Sequence, residues 1–398
     1  MSGHHIPGSL KLDFFTEEDL QATKGAEEKK IRLAVIGAGA MGQEHIWTAL
    51  RTKRAVVRGL YDPNELSLQS AAKWFADYSS VIKYRSIAEA VADPEVDAVI
   101  IATPNYTHLE VVQEVAASGK PILLEKPMTT TSREGWEVVK IAEAYPSVFQ
   151  VGLEYRQKCT YMLAIDELNN RGTIGKPCMI SMIENRFPFL DKVGQWNKFS
   201  KYSGGTLVEK CCHYFDLFNV CAGPDALPVS VYASGGAAVN FLDFEFRGEK
   251  SDILDHAFVL VEYDNGVRAC LNECMFSYGV ADSEELIING TAGRIRVVDK
   301  PDHKLEIWRR GNLPSFCGHV TFPPHVAETG NHGGSTFLEH ETFYDAIAGK
   351  PVCYPTARDG FWSVVVGEAA ERSIQSKAIV KISDILKEAG AAGATRRV

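Results

Sequence analysis

The sequence predicts an α/β protein in two parts: a parallel sheet wound with helices, then an antiparallel sheet covered by helices. The early chain alternates strand-like apolar runs with helix-like ones, which implies parallel strands joined by right-handed crossovers. From about residue 151 the apolar runs crowd together with hairpin-like turns between them. At 398 residues the chain also exceeds one ordinary core, so two domains are expected.

The first element is the most informative. Ile31, Leu33, Ala34, Val35 and Ile36 make a strand that delivers its end into Gly37-Ala38-Gly39-Ala40-Met41-Gly42, at G-x-G-x-x-G spacing, and a helix follows through Ile46, Ala49 and Leu50. Gly37 allows the tight turn, Gly39 lets backbone approach a pyrophosphate, and Gly42 lets helix and strand pack closely. Ala40 and Met41 then sit at a helix N-terminus, whose free N–H groups and dipole attract phosphate. A second strand, 56–61, ends in Asp62, roughly 20 residues beyond Gly42, where this fingerprint places an acceptor for a ribose 2′-hydroxyl. These features define a Rossmann dinucleotide-binding domain over 31–150. An aspartate repels a 2′-phosphate and no arginine follows it directly, so NAD is expected rather than NADP.

Further helices are expected at Glu65–Tyr78, Ser86–Ala92, Thr107–Ser118 and Ser132–Ala144, and strands at Asp97–Ala102, Pro121–Leu124 and Val148–Val151. Ligands in such sheets bind beyond the carboxyl ends of the strands. One end carries Thr103-Pro104-Asn105-Tyr106-Thr107-His108, in which Thr103, Asn105 and His108 are candidate cofactor contacts. A Pro-containing turn with a helix cap is the plainer alternative. Another end carries Glu125-Lys126-Pro127, in which Glu125 and Lys126 are further candidate cofactor contacts and the lysine, beside a nicotinamide, could hold a substrate oxygen and stabilise alkoxide charge.

Taken together, the glycine loop, Thr103-Pro104-Asn105 and Glu125-Lys126-Pro127 resemble the Gfo/Idh/MocA oxidoreductases, the group named for glucose-fructose oxidoreductase and inositol dehydrogenase. The resemblance implies a C-terminal α/β domain with a large open, mostly antiparallel sheet, a catalytic role for Lys126, and pairing of subunits through that sheet as a homodimer or homotetramer. In the chain beyond 151, strands are expected at Met179–Ile183, Val229–Ala233, Ala257–Tyr263, Val267–Glu273, Glu285–Asn289, Arg294–Val298 and Leu305–Trp308. Asp264-Asn265-Gly266 and 289–293 read as hairpin turns. Covering helices are expected at Cys159–Asn170, Thr206–Cys221, Ser335–Ala348 and Arg358–Ser376.

Within Thr206–Cys221, Glu209, His213 and Asp216 fall at i, i+4 and i+7, on one face of a single helix. A histidine beside a carboxylate is a good general base, because the carboxylate orients the imidazole and supports its cation. The family carries an Asp and a His four residues later; His213 matches and Glu209 stands in for the Asp. Lys210 is an extra cation able to grip substrate oxygens. Tyr155 and Arg156, after the last Rossmann strand, and Trp196, in an aromatic loop 186–202, are further substrate candidates. The segment 331–334 is a weaker one. His213 as an ordinary core histidine is the competing reading. A metal held by Glu209 and His213 with His319, His325 or His332 lacks tight spacing, so no metal is expected.

A formal charge of −9 without a basic tract argues against a nucleic-acid partner, and no run approaches the length of a membrane span. Nine cysteines form no disulfide-like framework, adjacent Cys211 and Cys212 reading as small buried hydrophobes, which suits a reducing cytoplasm. Residues 1–30 form an extension, with a short capped helix at 16–20 and no signal peptide expected; 151–388 form the substrate and oligomer domain, and 389–398 a disordered tail. The expected activity is NAD-dependent oxidation of a secondary hydroxyl on a sugar, inositol or related polyol. An NAD-dependent glycoside hydrolase working through transient oxidation and a non-enzymatic sugar or dinucleotide sensor are the alternatives.

Overall fold

The computed structural model describes residues 29–397, apart from 282, 301–302, 312–314, 321–323, 328 and 331. The extension therefore lies almost wholly outside the described residues, as do its short helix and Asn331 of the 331–334 segment.

Strand β1 (Ile31–Ile36) is central because Leu33 to Ile36 are apolar on both faces and wholly buried. It pairs in parallel with β2 (Ala55–Tyr61) and with β4 (Ala98–Ile101). With β3 (Ile82–Lys83), β5 (Ile122–Glu125) and β6 (Phe149–Gly152) they form a six-stranded sheet in the order β3-β2-β1-β4-β5-β6, the doubly wound Rossmann order. Helix Glu65–Tyr78 is shorter than expected: it stops at Ala71, tightens into a 3₁₀ turn at Ala72–Trp74, and Phe75 adopts extended backbone. Asp77 then caps a separate turn by accepting from the Ser79 N–H.

The second domain is built on nine strands. β7 (Pro177–Asn185) and β8 (Pro228–Gly236) are followed by a small ribbon of β9 (Glu245–Phe246) and β10 (Glu249–Lys250). Then come β11 (His256–Tyr263), β12 (Arg268–Cys274), β13 (Glu284–Gly290), β14 (Gly293–Lys300), β15 (Lys304–Arg309), β16 (Phe316–His319) and, late in the chain, β17 (Val380–Lys381). The large sheet runs β16-β15-β14-β13-β7-β12-β11-β8-β17. Within this sheet, among the described residues, only β7 and β12 pair in parallel. In β11 the pleat puts Ala257, Val259, Val261 and Tyr263 in the core and leaves Phe258 and Leu260 63% and 53% exposed on the other face.

The halves are locked together. Helix Ser335–Ile347 packs on helix Ala40–Thr52 and sends Phe343 and Tyr344 into the Rossmann core beside Leu33 and Val35. Two expectations need correction. The described part of the tail, 389–397, is packed against the domain: Ala389 and Ala391 are buried, the Trp362 indole N–H donates to Thr395 O at 3.2 Å, and Arg396 Nη1 donates to Asn219 O at 2.6 Å and Gly223 O at 2.8 Å. Thr206–Cys221 is two helices, Thr206–Glu209 and Cys212–Ala222, broken at Lys210–Cys211. No helix among the described residues is long and apolar enough to cross a membrane.

Candidate active site

The glycine turn is closed behind and open in front. Gly37 has φ +95°, and a Cβ there would lie 2.5 Å from Ala102 O; one on Gly42 would lie 1.9 Å from Gly37 O. A Cβ on Gly39 would meet nothing within 4 Å, so the space before the helix N-terminus is free for a ligand. Gly39 caps that helix without a side chain, and Ala40 and Met41 in its first turn are exposed and half-buried. Asp62 accepts from the Ala38 N–H and the Asn64 N–H, each at 2.8 Å, and so holds the turn while keeping acceptor capacity for ribose hydroxyls. This donor and acceptor set fits a dinucleotide, whose diphosphate the N–H groups of the Gly39 to Gly42 turn would hold.

Thr103 stands half-buried just past β4, bonded to the Thr107 hydroxyl at 2.8 Å. Its expected neighbours in the cofactor set do other work. His108 is fully buried, and its ring nitrogens face Thr103 O at 2.9 Å and Pro127 O at 3.0 Å. It ties two strand ends together, which replaces the cofactor contact expected of it. Both Glu125 oxygens are likewise occupied within the protein, by His45 Nε2 at 2.8 Å and by the Lys126 N–H at 2.9 Å. Behind them His45 Nδ1 meets His340 Nε2, and His340 Nδ1 meets the Tyr344 hydroxyl, each at 2.8 Å. An ionised Glu125 can only accept, so His45 Nε2 donates to it. Glu339 lies beside this chain, its potential ligand atom within 4.8 Å of those of His45 and Glu125. Asn105 bridges the domains, donating to Ser203 O at 3.1 Å and to the Glu209 carboxylate.

Lys126 leaves the end of β5 and donates to the backbone oxygen of Glu209 at 3.1 Å. Burial opposes its charge, but Glu209, Glu154 and Glu125 outweigh burial and raise its pKa, so the ammonium stays charged. Glu209 is 3% exposed; burial disfavours its charge, yet Lys192, at 3.0 Å, Lys126 and Asn105 hold its pKa below the ordinary value. Lys192 also lies 4.5 Å from the centre of the Trp196 ring, which is buried. The glycine entry to this segment is obligatory: Gly204 and Gly205 have φ +88° and +89°, and a Cβ on Gly205 would lie 2.4 Å from Glu371 Oε1.

The break at Lys210–Cys211 sends the three expected partners apart. Glu209 turns to Asn105 and Lys192. His213 stacks on Tyr155, with Nε2 3.7 Å from Glu154 Oε1 and with Nδ1 unpartnered among the described residues. Asp216 pairs with Arg156 at 2.5 Å, and Asp359 holds the same guanidinium at 2.7 Å. Arg156 is thus held by a buried carboxylate, Asp216, and a half-buried one, Asp359, in place of the substrate contact expected of it. Lys210 donates to the Tyr155 hydroxyl at 2.7 Å and lies 3.2 Å from Glu184. Burial, then the nearby Lys126 and Lys210 cations, push the His213 pKa well below its ordinary value, leaving a neutral imidazole able to accept a proton.

Sequence reasoning missed Glu154, Lys192, Glu44 and the His45 chain. Glu154 is 2% exposed, and neither of its oxygens has a hydrogen-bond partner among the described residues. Only its place next to Tyr155 in the Gly152–Arg156 segment hinted at it.

A glycine cradle at strand ends, opposite a half-buried lysine and a neutral histidine, defines an NAD-binding oxidoreductase. The chain belongs to the Gfo/Idh/MocA family: the oxidoreductase NAD-binding Rossmann model matches 31–153 and the family's C-terminal alpha/beta domain model matches 167–382. Among relatives, an inositol 2-dehydrogenase of Rhizobium meliloti is 24% identical over 89% of this chain and 99% of its own length. The rhizopine catabolism protein MocA of Rhizobium meliloti is 28% identical over 49% of this chain and 58% of its own. A levoglucosan dehydrogenase solved with NADH and levoglucosan shares the fold, with TM-score 0.75 and 19% identity over 89% of this chain and all of its own.

Proposed function

We propose that the protein is an NAD-dependent dehydrogenase that oxidises a secondary hydroxyl of a cyclic sugar, inositol or related polyol. The observation that carries this reading is Lys126: a charged, half-buried ammonium at the end of a cofactor-domain strand, 3.1 Å from Glu209 O in the segment that leads to His213. Lys126 holds the reacting oxygen and steadies its negative charge. His213 takes the hydroxyl proton. Bound NAD supplies the hydride acceptor. Glu209, fixed by Asn105 and Lys192, receives neighbouring hydroxyls together with Lys210, and Trp196 offers a ring face to the sugar, whereas the Tyr155 ring lies between His213 and Lys158 and orients the base. Relatives named for inositol and levoglucosan support a ring-shaped polyol.

The exposed Phe258, Leu260 and Tyr232 on the open sheet face support pairing with a second copy of the chain, as a homodimer or homotetramer. The cytoplasm suggested by the cysteine usage belongs to the same reading. The test is absorbance of reduced nicotinamide with NAD or NADP and a panel of inositols, hexoses and anhydrosugars. NAD-dependent turnover on a polyol supports the reading. Aglycone release from glycosides without NADH accumulation moves it to hydrolysis, and silence in both overturns it.

A further inference from the structure

We propose that Arg186 receives a carboxylate of the substrate, so that the polyol oxidised at Lys126 is a cyclic sugar acid. This names the substrate class for the dehydrogenase reading above and rests on it. Arg186 directly follows β7 and opens the aromatic segment 186–202, whose Lys192 and Trp196 already stand at Glu209. Its backbone is fixed, the N–H donating to Cys274 O at 2.9 Å. Its guanidinium is not. The fork has five N–H donors, yet none is hydrogen-bonded among the described residues; Glu184 Oε1, 3.9 Å from Nε, lies beyond hydrogen-bond reach. None of the three nitrogens is sealed inside the protein, and 17% of the side chain is exposed, so a ligand can reach the fork.

A short series of contacts ties Arg186 to the reacting groups. Lys126 donates to Glu209 O at 3.1 Å, and the next residue, Lys210, lies 3.2 Å from that same Glu184 Oε1. Lys210 also holds the Tyr155 hydroxyl, and Tyr155 stacks on His213. One carboxylate oxygen thus stands between the two cations, Lys210 and Arg186.

The charges around the fork call for one more anion. Burial opposes the Glu184 charge, but Lys210 and Arg186 hold its pKa down to about 2, so this carboxylate is ionised. Glu273, its register partner on β12, differs: burial and then Glu184 push its pKa well above the ordinary value, and this carboxyl keeps its proton. Tyr155 and Tyr214 also face Arg186, and burial pushes both phenols up, leaving them neutral. Two cations therefore share one anion. A guanidinium withdrawn from water without hydrogen bonds is costly unless a ligand supplies the acceptors. A single negative charge balances the group, whereas a phosphate dianion would meet the Glu184 charge at the same fork. A carboxylate also matches the fork with two parallel hydrogen bonds. The rings of Phe187 and Phe189, with centres 5.0 and 5.7 Å from the guanidinium carbon, flank it with apolar surface.

The test compares glucuronate with glucuronamide, glucose and glucose 6-phosphate, and the galacto series alike, using the full-length protein with NAD. Glucuronamide keeps the shape of the acid and loses its charge. In the wild type kcat/KM is expected to be about 30-fold higher for an acid than for its amide or parent hexose, the difference lying in KM. Calorimetric titration of the NADH complex is expected to give a similar ratio in Kd. In Arg186→Gln both ratios are expected to fall to near 1, and in Arg186→Lys only partly; a ratio within one variant does not depend on how much of it folds. An acid preference that survives in R186Q puts the carboxylate elsewhere and overturns the inference. Amides or neutral hexoses used as well as the acids overturn it and leave the dehydrogenase reading intact, as does a preference for the 6-phosphates. No turnover on any acid or neutral polyol overturns both.

Discussion

The imidazole of His213 lies face to face with the ring of Tyr155, centroids 4.0 Å apart and planes 11° from parallel. Lys210 holds the Tyr155 hydroxyl from the far side, so the plane of the base is set by a tyrosine from the first domain's exit segment. Tyr155→Phe keeps the stack and is expected to retain most of kcat. Tyr155→Ala removes a buried ring, costs about 3 kcal/mol of stability and lowers kcat more than it changes KM; urea unfolding and steady-state kinetics on both variants check this.

The His213 pKa gives a pH profile with a definite sign. Because burial and nearby lysines depress it well below 6.5, the neutral form persists through neutral pH, and kcat/KM for oxidation is expected to fall only in acid. Lys210→Met removes one of those cations. The acid limb is then expected to move to higher pH, whereas an unmoved limb assigns it to another group.

Arg156 is expected to behave as scaffold. Arg156→Gln leaves Asp216 as an uncompensated buried carboxylate, while Asp359 keeps the Thr356 N–H and hydroxyl, and is expected to destabilise by roughly 3 kcal/mol. The KM for polyol of the folded fraction is expected to stay unchanged. A large rise in KM without loss of stability returns Arg156 to the substrate set.

Glu371 offers a stability test remote from the reacting groups. Burial pushes its pKa up to about 7, although its Oε1 accepts from the Leu207 N–H at 2.9 Å. A raised carboxyl pKa means that this group favours the folded state most below its unfolded pKa of about 4.5, and that this contribution fades as pH rises through about 7. Glu371→Gln keeps an acceptor and removes the charge. It is expected to stabilise the protein at pH 8 by on the order of 1 kcal/mol and to flatten that part of the melting-temperature profile.

Most strands and helices were legible in the sequence because each is a local pattern: Ile31–Ile36 is apolar but for Arg32, and β11 carries an unbroken apolar run from Ala257 to Val261; the short β3, β9, β10, β16 and β17 carried no such signal. Gly37, Gly39 and Gly42 were legible for the same reason, since the spacing is itself the mechanism. The pairings were not. Helical periodicity put Glu209, His213 and Asp216 on one face, but the break at Lys210–Cys211 rotates them onto Lys192, Tyr155 and Arg156, none of which is near them in sequence. His108 and Glu125 sit at the right strand ends, yet burial turns their polar atoms to protein partners. The tail misled by composition: Gly and Arg suggested disorder, whereas Arg396 finds the carbonyls at the end of helix Cys212–Ala222. Glu154 carried no sequence signal of its own, because an unpartnered buried carboxylate is a property of packing.

Asp62 tests the cofactor end. Asp62→Ala is expected to weaken NAD binding about 10-fold through loss of a charged acceptor for ribose hydroxyls. It is also expected to narrow the preference over NADP, both read by nicotinamide fluorescence titration. Equal NAD affinity in the variant removes Asp62 from the cofactor set.

The most direct test of the account is single-turnover transfer of deuterium from a polyol labelled at the reacting carbon to NAD, followed by proton NMR of the nicotinamide, in wild type, Lys126→Ala and His213→Ala. The account predicts stoichiometric label on the nicotinamide in the wild type and a transfer rate lowered roughly 100-fold or more in each variant, with NAD affinity retained. Transfer at the wild-type rate in either variant, or none in the wild type while the polyol binds, would contradict it.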